Sequence, residues 1–317
     1  MKKVMIIVAV ALVIVGAVIC AAAAASMKFD FRKLDSGEYE MNTYAVKDDF
    51  SSISVEASAE KIRFVPSDDG KCKVVCLEDE NTEHEVTVSG GTLVIKEIDK
   101  RKWGVSFGFH TRTPETTVYL PEGGYDELLI NADTGDISVP AGFSFENMDI
   151  RSDTSDVECF ASADELLSIQ ITTGDVTIED ISAGGLKIRT TTGHIDAASV
   201  RCDGDILTEV DTGKTNLRDI TCRNLVSKGT TGDLNMKNVV ASGDFNITRT
   251  TGDVEFDACD ASEISVKTDS GDVTGTLLSE KTFFAESDTG KVSVPKSVTG
   301  GRCEISTDTG KIVITVK

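Results

Sequence analysis

The sequence predicts an all-β protein built as a parallel β-solenoid of about ten coils, each 19 or 20 residues long with two short strands. The first observation is a Thr-Gly-Asp tripeptide, or a close variant, that recurs every 19 or 20 residues through the C-terminal two thirds. The second is that apolar and polar residues alternate on both sides of each copy, as in β-strands. An N-terminal β cap and one N-terminal transmembrane helix complete the prediction.

The chain begins with Lys2 and Lys3, followed by an uncharged run from Val4 to Ala25. About 20 apolar residues span a bilayer, so residues 4–25 are predicted to be a transmembrane anchor. The positive-inside rule makes residues 1–3 a cytoplasmic tip and places the remainder outside the cytoplasm of a single-pass membrane protein. The alternative is a secreted protein, released by signal-peptide cleavage near Ala25. Residues 26–43 are predicted to be a polar stalk.

Residues 44–121 form a less regular β segment, predicted to cap the solenoid. Ser58 to Ile62 resembles a degenerate bend, so the solenoid could begin there. The stretch Lys100–Phe109 combines a basic cluster, alternating apolar residues and the single tryptophan of the chain. It is interpreted as a hairpin covering the first coil, because the ends of solenoids need caps. The alternative is a docking patch for the membrane or a partner, formed by Trp103, Phe107 and Phe109.

Residues 122–317 contain the ten repeats. Apolar residues occupy odd offsets before the central residue and even offsets after it, which requires a bend at that point. Glycine supplies the backbone freedom that a bend needs. Ser155 is the exception at the central position, and the chain should be locally different there. The structural turn residues are Gly135, Gly174, Gly193, Gly213, Gly232, Gly252, Gly271, Gly290 and Gly310.

Stacked coils place equivalent residues in columns. The residue before the glycine is Thr or Ser, which predicts a hydroxyl ladder facing inward or at the corner. The residue after it is usually Asp, with His194 and three lysines as exceptions. Asp211 precedes Lys214, Asp288 precedes Lys291 and Asp308 precedes Lys311, so charge compensation across one bend is expected.

Acidic residues crowd some of the predicted bends. Hard cations bind several carboxylate oxygens, which makes a weak Ca²⁺ site one hypothesis. A solvated acidic edge is the interpretation that the sequence favours, because these acids do not belong to a preformed loop. No other cofactor is predicted. The candidate calcium ligands are Asp133, Asp136, Asp153, Asp156, Asp269 and Asp272.

Cys202 and Cys222 each lie nine residues after their glycine, in adjacent coils. Stacked coils are close enough for a disulfide between them, although free buried thiols fit equally well. Nearly uniform coil lengths leave no loops to build a catalytic cleft, and no catalytic motif is found, so the chain is predicted not to be an enzyme. Its formal net charge of −21 argues against binding of nucleic acid.

Three segments carry a family resemblance: Trp103–Phe109, Val118–Pro121 and Thr172–Val176. With them the chain resembles a bacterial adhesin-like family, the domain of unknown function numbered 4097, which includes LiaG-like envelope proteins. The resemblance implies a surface β-solenoid without an established activity. We therefore expect a membrane-anchored extracytoplasmic module with a binding or structural role, whose partner is an unknown envelope protein or glycan. The alternatives are an accessory protein in envelope-stress signalling and a glycan-acting β-helix enzyme.

Overall fold

A computed structural model of the chain describes residues 12–18, 39–79, 82–100 and 113–317. Residues 12–18 are helical, and no helix among the described residues is long and apolar enough to cross a membrane. Most of the predicted anchor at residues 4–25 lies outside the described ranges. The predicted docking residues Trp103, Phe107 and Phe109 lie outside them as well.

The remaining elements are β-strands. Seven belong to the N-terminal segment: β1 (Tyr39–Ala45), β2 (Ser52–Ala59), β3 (Lys61–Pro66), β4 (Lys73–Asp79), β5 (Thr82–Ser89), β6 (Thr92–Asp99) and β7 (Glu115–Leu120). Ten lead into the repeated bends: β8 (Gly123–Thr134), β10 (Phe143–Thr154), β12 (Ser162–Thr173), β14 (Leu186–Thr192), β16 (Ile206–Thr212), β18 (Leu225–Thr231), β20 (Asp244–Thr251), β22 (Glu263–Ser270), β24 (Lys281–Ser287) and β26 (Gly301–Thr309). Ten follow the bends: β9 (Ile137–Val139), β11 (Val157–Cys159), β13 (Val176–Ala183), β15 (Ile195–Cys202), β17 (Thr215–Cys222), β19 (Leu234–Ala241), β21 (Val254–Cys259), β23 (Val273–Leu277), β25 (Val292–Ser293) and β27 (Ile312–Val316).

The repeats stack as parallel coils, which confirms the predicted β-solenoid of about ten turns. Leu167 lies beside Leu186, and Leu186 lies beside Ile206, so each strand pairs with the equivalent strand of the next coil. This register places the inward positions in continuous columns of buried Leu, Ile, Val and Phe. The coils therefore share one apolar core that no single repeat could form alone.

The N-terminal segment adds two further parallel layers to the described stack. Strands β2 and β3 form a coil on β8 and β9, with Glu60 at the bend between them, so the degenerate bend predicted at Ser58 to Ile62 is present. Strands β6 and β7 lie on the outer side of that coil. Beyond these layers, β5 pairs antiparallel with β6, β4 with β7, and β1 with β4. Antiparallel strands thus cover this end of the solenoid.

The opposite end departs from sequential stacking. Strand β26 pairs with β22 on one side and with β24 on the other, and β27 is likewise flanked by β23 and β25. The last coil of the chain is therefore the penultimate layer, and the coil that precedes it in sequence lies outermost. The repeat pattern gave no indication of this exchange.

A second corner bends the strands that follow the glycine. Five non-glycine residues adopt a positive φ at this corner, and each lies six residues after the central glycine of its coil. They are Asp180, Ser199, Asp219, Asn238 and Ala258. Asp and Asn tolerate this left-handed region better than most residues, and Asn238 Nδ2 also donates to Asp219 Oδ1 at 2.8 Å.

Candidate functional site

The repeated glycines permit a close approach between successive coils. Seven of the nine have positive φ, with Gly232 at 128°. A Cβ atom on Gly232 would lie 2.0 Å from the carbonyl oxygen of Gly213 in the preceding coil. Ser155 avoids positive φ, is buried, and its Oγ lies 2.5 Å from Ser152 Oγ. The local difference expected at Ser155 is therefore present.

The acidic column after the glycine forms a ladder of hydrogen bonds between coils. The backbone amide of His194 donates to Asp175 Oδ1 at 2.7 Å, and the amide of Asp272 donates to Asp253 Oδ1, also at 2.7 Å. His194 continues the ladder, because its Nδ1 accepts the amide of Lys214 at 2.9 Å. Each acceptor satisfies an amide at the bend of the neighbouring coil, which is a structural role.

The hydroxyl column before the glycine is exposed at the corner, so of the two positions predicted for it the inward one is wrong. Buried hydroxyls lie two residues earlier, where Thr307 Oγ1 donates to the carbonyl oxygen of Gly271 at 3.1 Å. The strand alternation brings that position into the core, whereas the next two residues belong to the bend.

The lysines of the bend column form ion pairs between coils. Lys214 Nζ lies 3.1 Å from Asp233 Oδ2, and Lys311 Nζ lies 2.9 Å from Asp272 Oδ2. Both lysines therefore pair with an aspartate of a neighbouring coil, whereas the sequence had predicted pairing with the aspartate of their own bend.

Three of the six candidate calcium ligands already accept bonds within the protein. Asp136 Oδ2 lies 2.7 Å from Lys61 Nζ, Asp156 Oδ1 accepts the amide of Asp175 at 2.9 Å, and Asp272 pairs with Lys311. Asp133 and Asp153 line a shallow surface groove instead. The calcium site stays a prediction, and these bonds would compete with the cation.

Cys202 and Cys222 end the paired strands β15 and β17, and both are buried free thiols. Burial raises the pKa of the Cys222 thiol to about 12, which suppresses the thiolate that oxidation requires. The disulfide between them stays a prediction, and the structure shows the alternative of two buried thiols.

Arg249 is an unusual core residue, with only 2% of its surface exposed. Its Nη2 donates to Ser227 Oγ at 2.9 Å and its Nη1 to the carbonyl oxygen of Thr248 at 3.1 Å. Gly229 makes room for the guanidinium, because a Cβ there would lie 2.8 Å from Nη1. Burial lowers the pKa of Arg249 to about 10, and no carboxylate is among its hydrogen-bond partners.

A groove in the sheet surface lies where the N-terminal segment meets the first repeats. Strand β3 pairs with β9 only at Ile62 and Arg63, and then diverges from it while remaining paired with β7 along its length. The divergence opens a groove of about 580 Å³, which we call the junction groove. It is lined by Lys61, Ile62, Arg63, Phe64, Val65, Pro66, Asp136, Ile137, Ser138, Pro140, Asp156 and Glu158.

A second polar assembly is enclosed within the N-terminal segment. We call it the cap cluster, and its members are Glu60, Cys76, Glu78, His84 and Thr116. They come from the β2–β3 bend, β4, β5 and β7. The cap cluster was not predicted from the sequence, although Cys76 and Glu78 at alternate positions of one strand were an available signal.

His84 is the centre of the cap cluster. Its Nδ1 lies 2.9 Å from Glu78 Oε1, and its Nε2 lies 3.0 Å from Glu60 Oε2. Thr116 Oγ1 donates to Glu60 Oε2 at 2.8 Å and lies 3.4 Å from Cys76 Sγ. The His84 side chain is fully buried.

Electrostatics in the cap cluster favour a charged imidazole in the absence of any other cation. Burial disfavours protonation of His84, but its bonds with Cys76 and Glu60 prevail and raise its pKa to about 11. Burial likewise acts against ionisation of Glu78. Hydrogen bonds from Asn42, His84 and Tyr44 outweigh that effect and lower the Glu78 pKa.

Fold and sites together define a parallel β-solenoid with a closed N-terminal end and an open groove at the junction with its repeats. The family model called Toastrack DUF4097 matches residues 50–211 and 203–317, and the chain belongs to this family. The resemblance drawn from the sequence is thereby confirmed. No curated protein matches the chain.

Solved structures that match the fold of this chain include a "putative adhesin" from Bacteroides fragilis, with 14% sequence identity and a TM-score of 0.39. The match covers 88% of this chain and 97% of that one. A "putative lipid binding protein" from Parabacteroides distasonis has 12% identity and a TM-score of 0.49, over 88% of this chain and 98% of the other.

Proposed function

We propose that the chain is a non-catalytic binding module of the bacterial cell envelope, anchored in the membrane and exposed outside the cytoplasm. Its junction groove contacts the partner, which is a glycan or a protein of the envelope. The observation that carries this proposal is the divergence of β3 from β9, which opens the sheet to a ligand. The groove volume of about 580 Å³ falls within the range of ligand sites.

The walls of the junction groove carry opposite charges. Lys61 and Arg63 project from β3, while Asp136 and Glu158 belong to the first two repeats. Donors and acceptors facing one another suit a ligand rich in hydroxyl or amide groups. Lys61 is paired with Asp136, and Arg63 Nε lies 3.8 Å from Glu115 Oε1. Because these ion pairs keep the side chains charged, they suit the binding of a polar ligand better than proton transfer.

Binding can be tested with two matched arginine variants of the purified full chain. Arg63 and Arg218 are 56% and 57% exposed, and Arg218 lies on a distant coil. Biolayer interferometry against purified wall polysaccharides and peptidoglycan fragments should show binding that Arg63→Glu weakens at least about tenfold, the loss of one charged contact. Arg218→Glu should bind as the unaltered chain does.

Two results would refute this proposal. One is equal binding by both arginine variants. The other is cleavage of the polysaccharide during the assay, which would favour the glycan-acting enzyme. If no wall fragment binds, crosslinking in cells from a photoreactive residue at position 63 tests the protein partner, and an absence of adducts removes the groove from consideration.

Membrane anchoring rests on the uncharged run from Val4 to Ala25 behind Lys2 and Lys3. The acidic body would not adsorb to anionic lipid, so the run would have to supply the attachment. Alkaline extraction should leave the full chain in the membrane fraction, and external protease should digest it in spheroplasts. A soluble product beginning near Ser26 would show instead that the run is a cleaved signal peptide.

A further inference from the structure

We propose that the cap cluster is a structural zinc site, with Cys76 Sγ, His84 Nε2 and the Glu60 carboxylate as ligands. The starting observation is that a sulfur, a ring nitrogen and carboxylate oxygens converge inside an otherwise apolar core. Cys76 Sγ, a ring nitrogen of His84 and an oxygen of Glu78 lie within 4.8 Å of one another. Among the described residues these three form the one group whose ligand atoms all meet that distance, and Glu60 adjoins it through His84 Nε2.

The donor types identify the ion. Thiolate, imidazole and carboxylate are the ligands that Zn²⁺ takes in proteins, usually four in a tetrahedral arrangement. Calcium and magnesium prefer oxygen ligands alone, so the sulfur of Cys76 argues against them. A zinc-bound thiol is deprotonated, and burial in the cluster protects it from oxidation.

The groups on the Nε2 side of His84 lie slightly closer together than the ligands of a bound zinc ion, so they would move apart by a few tenths of an ångström to admit it. Ligands about 2.0–2.3 Å from a tetrahedral zinc are about 3.3–3.7 Å apart. His84 Nε2 lies 3.0 and 3.1 Å from the two oxygens of Glu60, and 3.2 Å from Thr116 Oγ1. Thr116 Oγ1 lies 3.4 Å from Cys76 Sγ. Small shifts of these side chains would admit the ion, with the Thr116 hydroxyl as its fourth neighbour.

Glu78 has the position of a supporting residue. Metal-bound histidines commonly donate their other ring N–H to a carboxylate, which fixes the ring. Glu78 Oε1 takes this role at 2.9 Å from His84 Nδ1, and it also accepts the Tyr44 hydroxyl and the His84 amide. Asn42 Nδ2 donates to its other oxygen at 2.5 Å. Glu78 is therefore saturated, whereas among the described residues the Glu60 carboxylate is hydrogen-bonded by His84 and Thr116 alone.

The ion would join parts of the N-terminal segment that are distant in sequence. Glu60 lies at the bend of the first coil, Cys76 on β4 and His84 on β5. Binding to the folded arrangement would stabilise the antiparallel strands on the end of the solenoid, because an ion that binds only the folded state favours it.

The decisive measurement is the zinc content of the full chain, purified without a metal-binding tag and analysed by plasma mass spectrometry. We expect about one zinc per chain, lost in Cys76→Ser. Cys72→Ser is the matched control, since Cys72 is a buried thiol on the same segment outside the cluster. Circular dichroism should confirm that both variants retain β structure.

Zinc competition and cobalt replacement keep the test decisive if a variant fails to fold. The stripped wild-type chain should take up one Zn²⁺ from a chromogenic chelator. Cobalt should produce a thiolate charge-transfer band in the near ultraviolet. Glu60→Gln should abolish uptake, whereas Glu78→Gln should weaken it about 10- to 100-fold. Wild-type chain that takes up less than about a tenth of an equivalent, or a Cys76→Ser variant that binds normally, would overturn the proposal.

Discussion

Replacing Gly232 with alanine tests the physical basis of the coil stack. The added Cβ would lie 2.0 Å from the carbonyl oxygen and 2.6 Å from the carbonyl carbon of Gly213. Ordinary contacts of a Cβ begin near 3.4 Å, so two bends must separate by more than 1 Å. Parallel strands are about 4.8 Å apart, and such a shift would break the hydrogen bonds across this bend.

The matched control is Gly123→Ala. Gly123 has a φ of 150° against 128° for Gly232, but a Cβ at Gly123 would meet no atom within 4 Å. Both variants incur a backbone cost of about 1–3 kcal/mol, because this φ region suits glycine. Only Gly232→Ala adds the clash and the broken hydrogen bonds. We expect a total loss of about 3–5 kcal/mol for Gly232→Ala against about 1–3 for the control.

Urea unfolding of the full chain in detergent, followed by far-ultraviolet circular dichroism, measures the difference. Solenoids can unfold in segments, so the whole transition should be compared as well as its midpoint. Equal losses in the two variants would show that backbone conformation alone explains the glycine column. The close approach of successive coils would then carry no energetic weight.

Removal of residues 174–192, one complete coil that holds none of the partners of Arg249, should leave a folded chain with slightly lower thermal stability, because it preserves the repeat register; calorimetry showing complete unfolding would contradict a modular stack. Asp253→Ala should cost about 1 kcal/mol in urea unfolding through the lost bond to the Asp272 amide, whereas Asp253→Asn keeps an acceptor and should cost less. Lys311 lowers the pKa of the Asp272 carboxyl, so its stabilisation exists above its usual pKa of 3.8 and is lost as the pH falls through the lower folded value. Asp272→Asn should therefore reduce the acid-induced loss between neutral pH and about pH 3, and an unchanged loss would remove this explanation. Arg249→Met should raise the urea midpoint, because it removes a buried cation without a carboxylate partner; a lower midpoint would show that the hydroxyl bonds matter more than the charge.

The repeated core and its bends were predictable because each depends on residues close in sequence. Alternating apolar residues and a glycine every 19 or 20 positions determine strand, bend and coil length together. The second corner also had a local signal, since apolar parity changes again around Asp180 and its equivalents. Those positions vary between Asp, Ser, Asn and Ala, which obscured the column.

The remaining features depend on contacts between distant segments. Nothing near Glu60 or His84 in the sequence shows that they meet, because 24 residues and two strands separate them. The polar exceptions Thr215, Ser227 and Gly229 likewise make sense only once Arg249 is seen among them. A column that loses its apolar residues at several neighbouring coils is the sequence pattern to look for in such cases.

The exchanged order of the last two coils affects how the chain is made and how it comes apart. During synthesis β24 and β25 leave the ribosome before β26 and β27, yet these later strands are their partners in the folded stack. The final order of the stack beyond β22 and β23 can therefore form only after β26 and β27 have been synthesised. Strand β26 is enclosed between β22 and β24, so a force that pulls β26 out of the stack would also have to displace the outermost coil.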